Sequence, residues 1–365
     1  MRKKMILLVL TLFIGLSACG NDDKELPDEP GKEQGGNGGD EPENPDNPSG
    51  NEPVSWYVAT TGNDGNSGTL DSPLKSISKA LLRVNPGDTI FLREGAYHEF
   101  VTPTRSGEKG KLITLKSYPG ETAKIDGTGM TIKGWFSALV QLKSVQYMTF
   151  ENLHICNATN SDVNTDPEGV YINGVSRDIT FRNCKVYNIK STCLAGHNNG
   201  DWRSAHAFLV IGDDNGTPIR NLTIEKCEIY DMHTGTSETL TIAGNVDGFT
   251  IQDCEVHDVE NIGIIVAGGD NLNAGGNISV NYARNGVVRR NKVYRCSHQV
   301  SKDFWEGVYN NPAAYGAIGI YVCGGASTII EQNIVWECDR AIGLVSESNV
   351  LATKDCICLL YTSPS

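Results

Sequence analysis

Acidic residues recur where glycine-rich, apolar stretches of this chain end. Asp213 and Asp214 follow AFLVIG, Asp247 follows TIAGNV, and Asp270 follows VAGG. Carboxylates gathered on successive coils of a fold repel one another unless a cation joins them. Ca²⁺ takes six to eight oxygens in a flexible arrangement and suits such a set, so these four residues are expected to form a calcium centre. The alternative is that each Asp only shapes its own turn. Lys190, Arg203, Arg284, His298 and Lys302 could remove a proton near such a centre. Spacing does not choose among them; Lys302, Arg284 and Arg203 are carried as the candidate catalytic bases. Two long segments, 190–205 and 297–316, mix charged and amide residues with Trp202, Trp305, Tyr309 and Tyr315. Such rings offer apolar faces to a pyranose, and long loops of this kind are often functional rather than idle. A plain solvated loop is the alternative.

The elements that must position these residues follow from internal repetition. Six segments align without gaps: YMTFENLHICNA (147–158), DITFRNCKVYNI (178–189), NLTIEKCEIYDM (221–232), GFTIQDCEVHDV (248–259), NGVVRRNKVYRC (285–296) and STIIEQNIVWEC (327–338). Each reads as a strand, a tight corner and a second strand. A connection of variable length follows, and then a glycine-rich strand (GVYING, AFLVIG, LTIAG, GIIVAGG, GIYVCGG, GLVSES). Fixed strands with one connection absorbing insertions are the mark of a solenoid. Alternation turns Ile155, Val186, Ile229, Val256, Val293 and Val335 inward. It turns Tyr187, Tyr230, His257, Tyr294 and Trp336 outward as a stack, read as a packing ladder rather than a sugar platform.

Leu153, Cys184, Cys227, Cys254, Asn291 and Asn333 share the corner. The cysteines there are read as small buried side chains, since no CxxC spacing suggests a metal. Cys296 and Cys338 fall in the slot of Ile189, Met232 and Val259 and read as core. Three short strands per coil with amides stacked at one corner describe an all-β, right-handed parallel β-helix. At this point the chain resembles the pectin-lyase-like superfamily, whose asparagine ladder Asn291 and Asn333 match.

Residues 55–146 begin the solenoid. A strand, a Gly/Asn/Asp loop, an amphipathic segment over Ser72–Val84, the turn Asn85–Asp88 and a strand over Thr89–Arg93 follow in order. The amphipathic segment is expected to be a helix capping the open first coil. This region resembles the N-terminal part of secreted β-helix proteins grouped with polysaccharide lyase family 9, and the resemblance covers nearly all of 55–350. It implies a substrate lying along the glycine-rich sheet. Where such relatives are expected to carry an Asp, this chain has Cys323, outward and beside Glu347.

Arg2, Lys3 and Lys4 precede the apolar run 5–16, which is too short to span a bilayer and ends in Leu16-Ser17-Ala18-Cys19. That ending resembles a lipobox, in which the chain is cut before the cysteine and the Cys19 thiol is lipidated. Residues 1–18 are accordingly expected to be a lipoprotein signal peptide. Residues 19–53 are expected to be a tether, with eleven acids against two lysines and few apolar side chains. Such a composition cannot bury enough surface to offset its ordering entropy. The acidic start of the tether resembles export signals of surface-exposed lipoproteins, so an outer-membrane, cell-surface or secreted location is expected. The domain is expected to occupy 54–350. The ending KDCICLLYTSPS breaks the alternation and is expected to be a non-native or truncated tail over 351–365.

Net charge is -13 over 365 residues, which argues against a nucleic-acid partner, since that would need a basic face. A monomer touching the membrane only through Cys19 is expected. The leading functional expectation is a lyase acting on an acidic polysaccharide such as pectate by β-elimination. The alternatives are a glycoside hydrolase on the same fold, which needs two carboxyls flanking the bond, and a glycan-binding protein without turnover.

Overall fold

The computed structural model describes residues 52–193, 203–269, 276–302, 305, 316–348 and 350–359. The chain divides into Met1–Glu52 and Pro53–Ser365, and every described element belongs to the second. Its strands lie in three parallel sheets wound as a right-handed β-helix. Among the described residues the first sheet has ten strands, from Ser55–Val58 through Gln146–Glu151, Arg177–Arg182, Ile219–Glu225, Val246–Gln252, Arg284–Arg289 and Ala326–Glu331 to Ile357–Leu359. The second sheet contains the strands that follow each corner, Leu153–Cys156, Lys185–Ser191, Glu228–His233, Glu255–Val259, Lys292–Cys296 and Ile334–Trp336. The third is the glycine-rich sheet: Ser137–Lys143, Pro167–Asn173, His206–Gly212, Glu238–Gly244, Ile262–Ala267, Ile318–Cys323 and Arg340–Val345.

Register in the second sheet runs Ile155, Val186, Ile229, Val256, Val293, Val335 across consecutive coils, as the alternation predicts. The first five are fully buried, and Val335 packs against the same core. Outside this wall, Tyr187, Tyr230, His257, Tyr294 and Trp336 stack with centroids 4.1–5.3 Å apart and nearly parallel planes. Each inner ring spends both faces on its neighbours, so this ladder presents edges, not faces, to solvent. At the corner, Asn291 donates to Ile251 O at 3.0 Å, while its Oδ1 accepts from Cys254 N at 2.9 Å and Asn333 Oδ1 accepts from Asn291 N at 2.9 Å. Cys184, Cys227 and Cys254 are buried in the same column.

The corners repeat in backbone as well as in side chain. Residues 147, 152 and 157 have positive φ, and so do 178, 183 and 188; 221, 226 and 231; 248, 253 and 258; 285, 290 and 295; and 327, 332 and 337. Asn and Asp occupy about half of these positions because their short polar side chains tolerate the left-handed region. Gly169 illustrates the closeness of the walls: a Cβ there would come within 2.8 Å of Val186 Cγ1.

The helix is shorter than the amphipathic pattern suggests, covering Ile77–Leu81 with Ser76 as N-cap. Leu74 is taken by pairing with Val58, and Ala59 N donates to Leu74 O, so the helix starts only after Ser76. Ile77, Ala80, Leu81 and Val84 join the core cluster of the first coils, which is the expected capping role.

Candidate functional site

The glycine-rich sheet has a second face, turned away from the core, with its own apolar clusters. Tyr171, Leu209 and Ile211 form one with Phe136, and Ile265, Tyr321 and Cys323 form another with Ala243 and Ala267. At the beginning of these strands a row of ionisable groups crosses three coils. Glu168 is opposite His206, and His206 Nδ1 lies 3.0 Å from Glu168 Oε2. On its other side His206 Nε2 is 3.7 Å from Glu238 Oε2. Glu168 is wholly buried, His206 is 5% exposed, and Glu238 reaches solvent. Asp166, two residues before Glu168, is 1% exposed and its Oδ1 has no hydrogen-bond partner.

Burial and charge set the protonation of this row. Burial works against an imidazolium at His206, but Glu168 and Glu238 outweigh it and push the group up to about 10. Burial raises Glu168, while the facing imidazolium opposes that rise. Burial, with the Glu168 charge behind it, pushes Asp166 up to about 8, so it holds a proton at neutral pH. Further along the same face, Tyr321 OH donates to Glu347 Oε1 at 2.8 Å, and Glu347 N approaches Cys323 Sγ at 3.4 Å. The Glu347 carboxyl is raised, first by desolvation against the protein and then by the charge of Glu238. Cys323 and Glu347 are therefore neighbours on the outward face, as the sequence predicts.

The residues singled out by sequence are dispersed. Asp213 accepts from Gly174 N at 2.8 Å and from Asn173 Nδ2 at 3.1 Å. Asp214 closes its own turn, accepting from Gly216 N and Thr217 N. Asp247 lies in the first sheet, where it pairs with Arg284 at 3.3 Å and accepts from Asn285 Nδ2 at 2.7 Å. Asp270 lies outside the described residues, as do Cys19, Trp202, Tyr309 and Tyr315. Among the described residues, no group of three or more His, Cys, Asp or Glu is arranged to hold a metal ion.

Arg203 is buried and paired with Glu260, whose other oxygen accepts from Gly235 N at 2.7 Å. Burial lowers Arg203 to about 10. Lys302 is exposed at the end of the 3-10 turn His298–Ser301. Trp305 is buried, its ring stacked on His298 at 3.5 Å between centroids. His298 Nε2 faces Asn261 Oδ1 at 3.1 Å, and burial pushes this imidazole down to about 4. Lys302, Arg284 and Arg203 thus occupy three separate environments.

Sequence reasoning missed Asp166, Glu168, His206, Glu238 and the 53% exposed Trp135 beside Phe136. The acids conspicuous in the sequence follow the glycine-rich strands, whereas this row stands at their beginnings. Aligning EGVYIN, HAFLVIG and ETLTIAG from their first residues puts Glu168, His206 and Glu238 in line.

Comparison with known proteins decides the family. The Pel9A-like, right handed beta helix region matches residues 56–259. This chain belongs to that family. The Pel9A-like chain is 31% identical over 292 residues to the uncharacterized protein YwoF of Bacillus subtilis (strain 168), covering 80% of this chain and 58% of YwoF. It is 30% identical over 142 residues to pectate lyase PEL9 of Emericella nidulans, covering 35% of this chain and 33% of that enzyme. Each of these curated relatives is therefore spanned over less than two thirds of its length. Among solved structures, the GH136 lacto-N-biosidase of Eubacterium ramulus shares the fold with a TM-score of 0.58 at 17% identity, over 78% of this chain and 52% of that one.

Proposed function

We propose that this Pel9A-like protein cleaves a polysaccharide laid along the outward face of the glycine-rich sheet. The observation that carries this reading is the Glu168–His206–Glu238 row on that face, buried at Glu168 and His206 and reaching solvent at Glu238. The other two sheets carry more exposed pairs such as Arg182–Glu225 and Lys185–Glu228. A buried charged row costs stability unless something else selects for it, and functional sites are where such groups gather. Kinship with pectate lyase PEL9 supports β-elimination on a uronic-acid polymer as the first chemistry to test. The proposal includes export as a lipoprotein anchored at Cys19 to an outer or surface membrane, a monomeric body, and calcium at the strand exits.

A second reading, glycoside hydrolysis, is favoured by one specific feature. The outward face is rich in carboxyl groups, Asp166, Glu168, Glu238 and Glu347, with His206 among them. Such a face suits acid–base work on an uncharged sugar better than it suits a polyanion. Incubation with polygalacturonate and with neutral glycans tests both. New ultraviolet absorbance from an unsaturated uronate marks elimination, whereas reducing ends without that absorbance mark hydrolysis. Binding without either product would leave a glycan-binding protein and end the enzymatic reading.

A further inference from the structure

Thr241, Ile265 and Tyr321 occupy one column of the outward face, in register across three successive coils. Rungs of a parallel sheet are about 4.8 Å apart, so Thr241 and Tyr321 stand about 10 Å from each other with Ile265 as floor between them. A carboxyl is fastened at each end. Thr241 Oγ1 donates to Glu238 Oε2 at 3.3 Å, and Tyr321 OH donates to Glu347 Oε1 at 2.8 Å. Ile265 is buried, with Ala243 and Ala267 beside it, so the floor is apolar and narrow. Behind Glu238 stands His206, and behind His206 the buried Glu168 and the orphaned Asp166 Oδ1.

We propose that Glu238 and Glu347 are the two catalytic carboxyls of a glycoside-hydrolysing centre for a neutral glycan, with the sugar seated over Ile265 and His206 as the positioning residue of Glu238. The inference rests on the polysaccharide-cleaving reading and chooses its hydrolytic form. An acid and a base several ångströms apart across a sugar leave room for a water on the far side of the ring, the arrangement that inverts the anomeric centre. Glu238, 3.7 Å from His206 Nε2, takes a proton from that water as its oxygen bonds to the anomeric carbon. The bond from that carbon to the leaving oxygen breaks, and the leaving oxygen takes the proton of Glu347. Water is consumed, one new hydroxyl stands on each fragment, and exchange with solvent returns the proton from Glu238 to Glu347. The raised Glu347 carboxyl suits the donor's part, since it keeps its proton further toward neutral pH.

The test uses the full chain with arabinan, galactan, xylan and polygalacturonate in ¹⁸O-enriched water. Expected are reducing ends carrying one ¹⁸O on a neutral glycan, with no ultraviolet chromophore. Glu238→Gln and Glu347→Gln should each lower kcat by at least about 100-fold while the parent's cooperative melt is kept. His206→Gln should leave the melt cooperative and KM unchanged while lowering kcat less than Glu238→Gln does, because the ring no longer holds the Glu238 carboxyl in place. A purely structural His206 would lower the melt and leave kcat of the folded enzyme unchanged. An unsaturated product from polygalacturonate, or full activity in both Gln variants, overturns this assignment and leaves polysaccharide cleavage standing. No cleavage of any of the four polymers overturns both.

Discussion

Nδ1 of His206 lies 3.0 Å from Oε2 of Glu168, on facing rungs of neighbouring coils and out of reach of solvent. A charged pair in such a place is stabilised only while both partners and their remaining contacts are kept. Glu168→Ala leaves the imidazolium with Glu238 alone and should cost about 3–5 kcal/mol in urea denaturation. A loss under about 1 kcal/mol would show that the pair contributes little to the folded state.

The same pair gives stability a pH dependence whose sign is fixed. His206 is held up to about 10 in the folded chain, above its ordinary value of about 6.5 when unfolded. The folded state therefore binds the proton more tightly, and this contribution is full below about pH 6.5 and lost as pH rises through about 10. Melting curves from pH 6 to 10 should show the parent falling relative to His206→Gln. Parallel curves would mean that the ring is neutral throughout.

The inward stack offers a sharper test of register. Val256 is fully buried, between Ile229 and Val293 of the adjoining coils. Val256→Asp places a carboxylate there without a cation and should cost more than about 4 kcal/mol, enough to abolish a cooperative melt in a marginal domain. An unchanged melt is incompatible with this register.

How much of this was legible in the sequence depends on where the repeat is strict. Corner and wall positions recur at fixed offsets within each aligned segment, so Val256 and its column, and the Asn291–Asn333 ladder, could be assigned from residues alone. The row of Glu168, His206 and Glu238 lies beyond connections of irregular length, and its members differ in chemistry, so it becomes a column only once strand register is known. Loop cations and rings misled for a different reason. Arg203 and Trp305 sit in polar segments that read as surface, yet Glu260 and His298 give them buried partners. The Ser72–Val84 pattern is amphipathic throughout, but pairing at Leu74 claims its first turn for the sheet.

Backbone conformation at the corners predicts a stabilising change. Lys226 has φ +53°, a left-handed geometry that costs a residue with an ordinary side chain about 1 kcal/mol. Asn183 and Asp253 occupy the equivalent positions of the adjoining coils with nearly the same φ. Lys226→Asn should raise unfolding free energy by about 0.5–1 kcal/mol, and Lys226→Val should lower it, since branching at Cβ suits this region least. Denaturant midpoints in the reverse order would contradict the geometry.

The calcium proposal turns on Asp247 and Arg284. They face each other across adjoining strands of the first sheet, 3.3 Å apart, and Arg284 also donates to Asn245 Oδ1 at 3.1 Å. A cation joining Asp247 to acids at the strand exits must displace that guanidinium. The parent should accordingly show only a weak rise in melting temperature with millimolar Ca²⁺, at ionic strength matched with NaCl because a partly exposed pair is itself salt-sensitive. Arg284→Ala removes the competitor and should enlarge the rise, since a ligand specific for the folded state stabilises it by mass action. Mg²⁺ should do less, preferring a tighter octahedron and keeping its waters. Asp247→Asn in the Arg284→Ala background should cancel the gain, and Asp270→Asn should do the same if Asp270 completes the set. If neither the parent nor Arg284→Ala responds to Ca²⁺ by melting or by calorimetry, these carboxylates serve only their turns and the Arg284 pair, and calcium drops out of the mechanism.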